Sequence, residues 1–184
     1  MEDKTKEMLD EINNETTEII IYDNEVEGII NFKKFNNLTK ISCGFNQITK
    51  ICGLNDDIEE INCTHNLIKS FTKLPNKLLS LDCSKNNIKS LDNLPVKLKT
   101  LDCSHNRIKL LNNLPLELNN LDCSYNQLVN LDHLPESIII LNCNSNRIIS
   151  LDNLPCGLES LCCDYNNINL LNNLPKKIKY LKYD

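Results

Sequence analysis

A twenty-residue sentence repeats along this chain, and its period constrains the fold more than any other feature. Leu-Asp-Cys-Ser-x-Asn-x-Ile-x-x-Leu-x-x-Leu-Pro-x-x-Leu-x-x runs from Leu81, Leu101 and Leu121, allowing exchange of Ile and Leu. Looser copies start at Ile41, Ile61, Leu141 and Leu161. A fixed period in this range predicts a solenoid, in which each repeat is one coil that buries its apolar side against its neighbours. Such a stack presents a long surface instead of a closed pocket, which already narrows the function.

Numbering each coil from the first Leu of Leu81-Asp82-Cys83 assigns a task to most positions. Apolar residues fall at positions one, three, eight, eleven, fourteen and eighteen. The pair at one and three has period two and predicts a short strand with Leu and Cys facing inward. The wider spacing after it predicts an irregular arc. Pro75, Pro95, Pro115, Pro135, Pro155 and Pro175 all sit at position fifteen, where a residue lacking an N–H argues against a long helix. The coil from Ile41 carries Asn55 there instead. Position six is always Asn, from Asn46 to Asn166. A buried amide both donates and accepts, so this column is expected to satisfy backbone groups left open by the turn after the strand.

Leu78-x-x-Leu81-x-Cys83-x-x-Asn86-x-Ile88 matches the leucine-rich-repeat consensus, with Cys in its last apolar strand position. The tail Leu91-x-x-Leu94-Pro95 resembles the short repeats of bacterial secreted effectors. The Cys- and Asn-rich version resembles leucine-rich-repeat proteins of amoeba-infecting giant viruses. The resemblance covers about residues 38–184 and implies an α/β solenoid. Its right-handed coil carries a parallel concave sheet and an irregular, extended convex side. Some effectors of the resembled class add a C-terminal ubiquitin-ligase domain; the chain to Asp184 is too short to hold one, so no ligase activity is expected.

Two regions follow. Residues 1–37 are expected to form an N-terminal cap: an acidic helix over about residues 3–13, with Asp3 as its N-cap, above a degenerate coil built from Ile19, Ile21, Ile29, Ile30, Phe32 and Phe35. Residues 38–184 are an array of seven repeats ending in a partial coil, where Tyr183 replaces the Cys. Charge is split in the same way, with −8 on residues 1–30 and +3 on the remainder. That is weak support for binding nucleic acid, and no apolar run of about 18 residues points to a membrane span. Without an export signal, a cytoplasmic location is expected, which would be the host cytoplasm if the chain is viral.

The cysteines resemble chemistry at first sight. Seven occupy position three. Strands about 4.8 Å apart hold parallel side chains too far apart for a disulfide, and a column does not converge on one metal ion. These are read as small buried hydrophobes. Cys162 falls at position two and is the best-placed reactive thiol, but His65, His105 and His133 lie in other coils and give it no base. No catalytic residue, metal site or cofactor is expected.

Specificity is left to the positions where the sentence varies. Position two places Asn62, Asp82, Asp102, Asp122 and Asn142 outward, and the three adjacent carboxylates repel one another. They are either solvated beside the position-four serines or form an acidic stripe for a basic partner. Position five places Phe45, His65, His105, Tyr125 and Tyr165 in a second outward column, which either shields the Asn turn or forms a contact line, since aromatic residues are enriched at interfaces. The resulting expectation is a non-catalytic module whose concave face binds another protein. A self-associating scaffold that stacks through its end coils is the alternative. A monomer is favoured.

Overall fold

The computed structural model describes residues 2–22 and 26–184. In chain order its elements are α1 (Glu2–Asp10), β1 (Glu18–Ile20), β2 (Glu27–Asn31), β3 (Lys40–Ser42), β4 (Gln47–Cys52), β5 (Glu60–Asn62), β6 (Ser80–Asp82), β7 (Thr100–Asp102), β8 (Asn120–Asp122), β9 (Ile140–Asn142), β10 (Ser160–Cys162) and β11 (Tyr180–Lys182). Nine short strands form one parallel sheet in the order β1-β3-β5-β6-β7-β8-β9-β10-β11. From β3 onward each strand pairs with the one twenty residues later, Leu81 against Leu101 and Leu101 against Leu121. The repeat period is therefore the register of the sheet. α1 is nine residues long, and no described helix is long and apolar enough to cross a membrane.

Each strand begins one residue earlier than the Leu-x-Cys reading predicts and ends before the Cys. The ladder nevertheless continues through it, since Cys83 N–H donates to Asp102 O at 2.8 Å. Position-one residues from Ile41 to Leu161 and the position-three cysteines are buried. At the back of the coil each proline carbonyl accepts the N–H three residues on, as from Leu98 to Pro95 at 3.1 Å. Asn55 replaces the proline by a side-chain turn: its Oδ1 accepts the Asp57 N–H at 2.8 Å and its amide donates to Phe35 O at 3.0 Å.

The N-terminal region contains the expected degenerate coil, with differences. β1 joins the main sheet, pairing Ile19 with Ile41. β2 and β4 form a second, two-stranded parallel sheet. α1 ends at Asp10, earlier than expected, and Asp3 lies inside it instead of capping it. Leu9 is buried, and Met8 and Ile12 pack on the core from one side. Ile29 is half exposed although Ile30 is fully buried. Adjacent strand residues point to opposite faces, so the two cannot both turn inward, and Ile30 and Phe32 take the buried face. Gly53 closes β4 at φ 71°, and a Cβ there would meet Lys33 N at 2.5 Å, so the close approach of the two coils requires glycine. In the last coil Ile168, Leu171, Leu174, Ile178 and Leu181 are partly buried against the same core.

Candidate partner-binding face

Two buried ladders hold the outer face of the sheet in place. In the first, each position-six Asn bridges two coils. Asn106 Nδ2 lies within 3.0–3.1 Å of Cys83 O, Cys103 O and Ser104 O, while its Oδ1 accepts Ile88 N–H at 2.9 Å. The same set recurs at Asn66, Asn86, Asn126 and Asn146. In the second, position-three thiols reach carbonyls of the following coil, as from Cys63 Sγ to Asp82 O and Cys103 Sγ to Asp122 O, both 3.4 Å. Burial pushes the Cys43 thiol up to about 12 and Cys163 up to about 11, and raises Cys63, Cys83, Cys103, Cys123 and Cys143 as well. These thiols stay protonated and serve as weak donors inside the core.

Outside this frame the position-two column is tied down. Asp82, Asp102 and Asp122 are half-buried and each accepts the N–H two residues on, at 2.9–3.0 Å. Ser84 and Ser124 hydroxyls add bonds of 2.6 Å to Asp82 and Asp122, and the Asn142 amide reaches Asp122 Oδ2 at 2.7 Å. Asn62 and Asn142 make the same local turn, accepting Thr64 N–H and Asn144 N–H. Burial first, then the charges of Asp122 and Asp82, hold the Asp102 carboxyl above its ordinary range. Position four does not face outward. Ser84, Ser104, Ser124 and Asp164 are buried because the chain is already turning inward toward the Asn ladder.

Position five is the exposed column. Phe45, His65, Lys85, His105, Tyr125 and Tyr165 are exposed, with Tyr165 at 70 %. Neighbouring rings stack across coils: Phe45 on His65 with centroids 5.1 Å apart, and His105 on Tyr125 at 4.0 Å. All seven position-five residues have φ between 51° and 56°, a left-handed conformation that costs a non-glycine residue about 1–2 kcal/mol. Nothing in their side chains signals this. It is imposed by the bonds on either side, for example His105 N–H to Ser124 O at 2.9 Å.

A third outward column escaped the sequence reading. The first strand residue, position twenty, shares a face with position two because side chains alternate. It carries Lys40, Glu60, Ser80, Thr100, Asn120, Ile140, Ser160 and Tyr180, of which Ile140 and Tyr180 are exposed apolar groups. Counting back two residues from position two would have found it. Cys162 sits on the same face, half-buried, its thiol held up by burial and by Asp164. That is the opposite of the shift an activated nucleophile needs.

No protein-family model and no curated protein sequence matches the chain. Solved structures do. The leucine-rich-repeat domain of a Shigella effector matches with a TM-score of 0.80 at 23 % identity, over 98 % of this chain and 88 % of that one. The leucine-rich effector YopM of Yersinia pestis matches with a TM-score of 0.82 at 25 % identity. That match covers 91 % of this chain and 48 % of YopM, so this chain spans about half its length. InlJ of Listeria monocytogenes, whose functional domain includes a cysteine ladder, matches with a TM-score of 0.55 at 21 % identity, over 91 % of this chain and 48 % of that one. The fold is that of leucine-rich-repeat proteins.

Proposed function

We propose that this leucine-rich-repeat solenoid is a non-catalytic module that binds another protein on the outer face of its sheet, with position five as the main contact line. The observation that carries the proposal is a contrast between two left-handed columns. At position thirteen, where φ is also positive in every coil but that of Lys73, the chain uses Gly53, Asn93, Asn113, Asn153 and Asn173, with His133 as the exception. At position five, under the same backbone condition, it uses Phe, His, Lys, His, Tyr, Ser and Tyr. Glycine and asparagine adopt this conformation most easily. A stacked aromatic pair contributes about 0.5–1.5 kcal/mol, less than the roughly 2–4 kcal/mol of two left-handed residues. Stacking alone does not account for keeping these side chains. Strained positions concentrate where function needs them, and exposed, pre-stacked aromatic groups suit an interface that buries area at small entropic cost.

The half-buried Asp82, Asp102 and Asp122 are placed in a supporting role, since their hydrogen bonds already hold the turn above them. Asn62 and Asn142 extend that role to the adjacent coils. Leucine-rich effectors and internalins among the matching structures fit an interaction module. The cytoplasm, or a host cytoplasm for a viral protein, is the compartment proposed, because ten cysteines without a disulfide fit a reducing environment.

The triple variant Phe45→Asn, Tyr125→Asn and Tyr165→Asn tests the reading. Its thermal stability should equal or exceed that of the parent. In affinity capture from extract of the source cells, proteins retained by the parent should be lost. Retention of the same proteins by the variant overturns the contact line. A marked fall in stability overturns the strain argument.

A further inference from the structure

We propose that the solenoid has a second docking surface, on the flank formed by positions seven, nine and ten, and that it receives a protein segment carrying a block of acidic residues next to a block of aliphatic ones. This surface lies off the strand face and does not depend on the reading above.

The flank is built as regularly as the sheet. Position eight points inward and is buried from Ile48 to Ile148, while positions seven, nine and ten point outward. Coils are joined here by position-seven N–H groups donating to the position-eight carbonyl of the coil before, as from Arg107 to Ile88 at 2.8 Å and Arg147 to Leu128 at 2.8 Å. Equivalent side chains therefore align in columns at the spacing of bonded strands, about 4.8 Å.

Over seven coils these positions contain no acidic residue. They contain Lys50, Lys69, Lys89, Arg107, Lys109 and Arg147. The chain has eighteen lysines and two arginines, and both arginines lie on this flank at position seven. Arginine is the cation enriched at protein interfaces, because its planar fork holds carboxylates in two places. Several of the described lysines elsewhere on the molecule are also unpaired, while Lys34, Lys40, Lys73, Lys77, Lys179 and Lys182 form ion pairs with acids. Among the described residues none of the six flank cations does. Six unpaired cations in a protein of net charge −5 are a local field of one sign, of the kind that attracts an oppositely charged partner.

The second half of the flank adds exposed aliphatic groups beside Arg147 and uncharged polar side chains. Leu110, Val129, Ile149 and Leu170 occupy four consecutive coils and are all exposed, Ile149 at 63 %. Together with the cations they form a strip roughly 29 Å long, taken as six strand spacings, basic toward the N-terminal coils and aliphatic toward the C-terminal ones. Near the junction is a shallow hollow of about 170 Å³ lined by Lys89, Lys109, Leu110 and Asn112. Asp92 also lines it, and its carboxylate already accepts the Ser90 hydroxyl at 3.0 Å. The exposed apolar groups are aliphatic, whereas a single-stranded nucleic acid needs aromatic platforms for its bases. An acidic-aliphatic protein segment satisfies both halves.

The test uses the full chain and a fluorescein-labelled synthetic peptide in which a glutamate block is followed by a leucine–isoleucine block. Fluorescence anisotropy should show saturable binding that weakens as salt rises. The variant Lys69→Glu, Lys89→Glu, Lys109→Glu should lose at least tenfold in affinity, and Ile149→Ser with Leu170→Ser should lose severalfold. Both change exposed groups, and circular dichroism establishes that they remain folded. The position-five variant should bind the peptide as the parent does, so failure of the strand face and failure of this flank are read separately. A glutamine-block peptide that binds equally well overturns the proposal. So does absence of binding, or tighter binding to phosphatidylserine vesicles or to a single-stranded thymidine oligonucleotide than to the peptide.

Discussion

Replacing Asn106 by Ala tests the inter-coil ladder most directly, because the consequence for each partner atom is known. The side chain makes four bonds, but its loss does not orphan four groups. Cys83 O keeps the Asn86 amide at 3.1 Å, Cys103 O keeps Asn126 at 3.0 Å, and Ser104 O keeps the Lys85 N–H at 2.9 Å. Only the Ile88 N–H, which donates to Asn106 Oδ1 at 2.9 Å, loses its sole acceptor. An orphaned buried donor costs about 1–3 kcal/mol, and the void left by a buried amide adds on the order of 1 kcal/mol. The expected loss is about 3 kcal/mol, read from the urea midpoint with the slope checked for two-state behaviour. Asn106→Asp sharpens the test. It keeps the acceptor for Ile88 but turns an oxygen toward three carbonyls and buries a charge, so at pH 7 it should be less stable than Asn106→Ala. A buried aspartate surrounded by carbonyls has a raised folded-state pKa, so its destabilisation is full above that value and recedes as pH falls through it. An Asp variant at least as stable as the Ala variant at pH 7, or an Ala variant within 0.5 kcal/mol of the parent (about half the lower bound for one orphaned donor), would refute this account.

Two further changes should stabilise the protein. His133 holds φ 67° where the other left-handed residues of this column are Asn or Gly, so His133→Asn should raise stability by about 0.5–1 kcal/mol, part of the left-handed cost; a lower melting temperature would show that its ring makes a contact of greater worth. Asp102 is half-buried between two like charges and its carboxyl is held above the ordinary range by that burial, so the folded state binds its proton more tightly than the unfolded one. Its penalty is full above the folded value and is relieved as pH falls toward the unfolded value. Asp102→Asn, which keeps an acceptor for Ser104 N–H as Asn62 does for Thr64, should raise the melting temperature at pH 7 with a gain that shrinks toward pH 4; a gain independent of pH contradicts the electrostatic cause.

The period of twenty was enough to read the solenoid, the inward Leu, Cys and Asn columns and the proline corner, because a repeat that stacks on itself must bring each position onto its own copy. It also sufficed to read the position-three cysteines as buried side chains. Sequence alone could not say which variable positions face a partner. Position four became buried and position five became left-handed because bonds from the next coil set those backbone angles, and such bonds have no signature within one repeat. The basic flank is visible in the letters only after stacking has shown that positions seven, nine and ten share a surface. Short-range pattern decided what lies inside; the hydrogen bonds between coils decided what is presented outside.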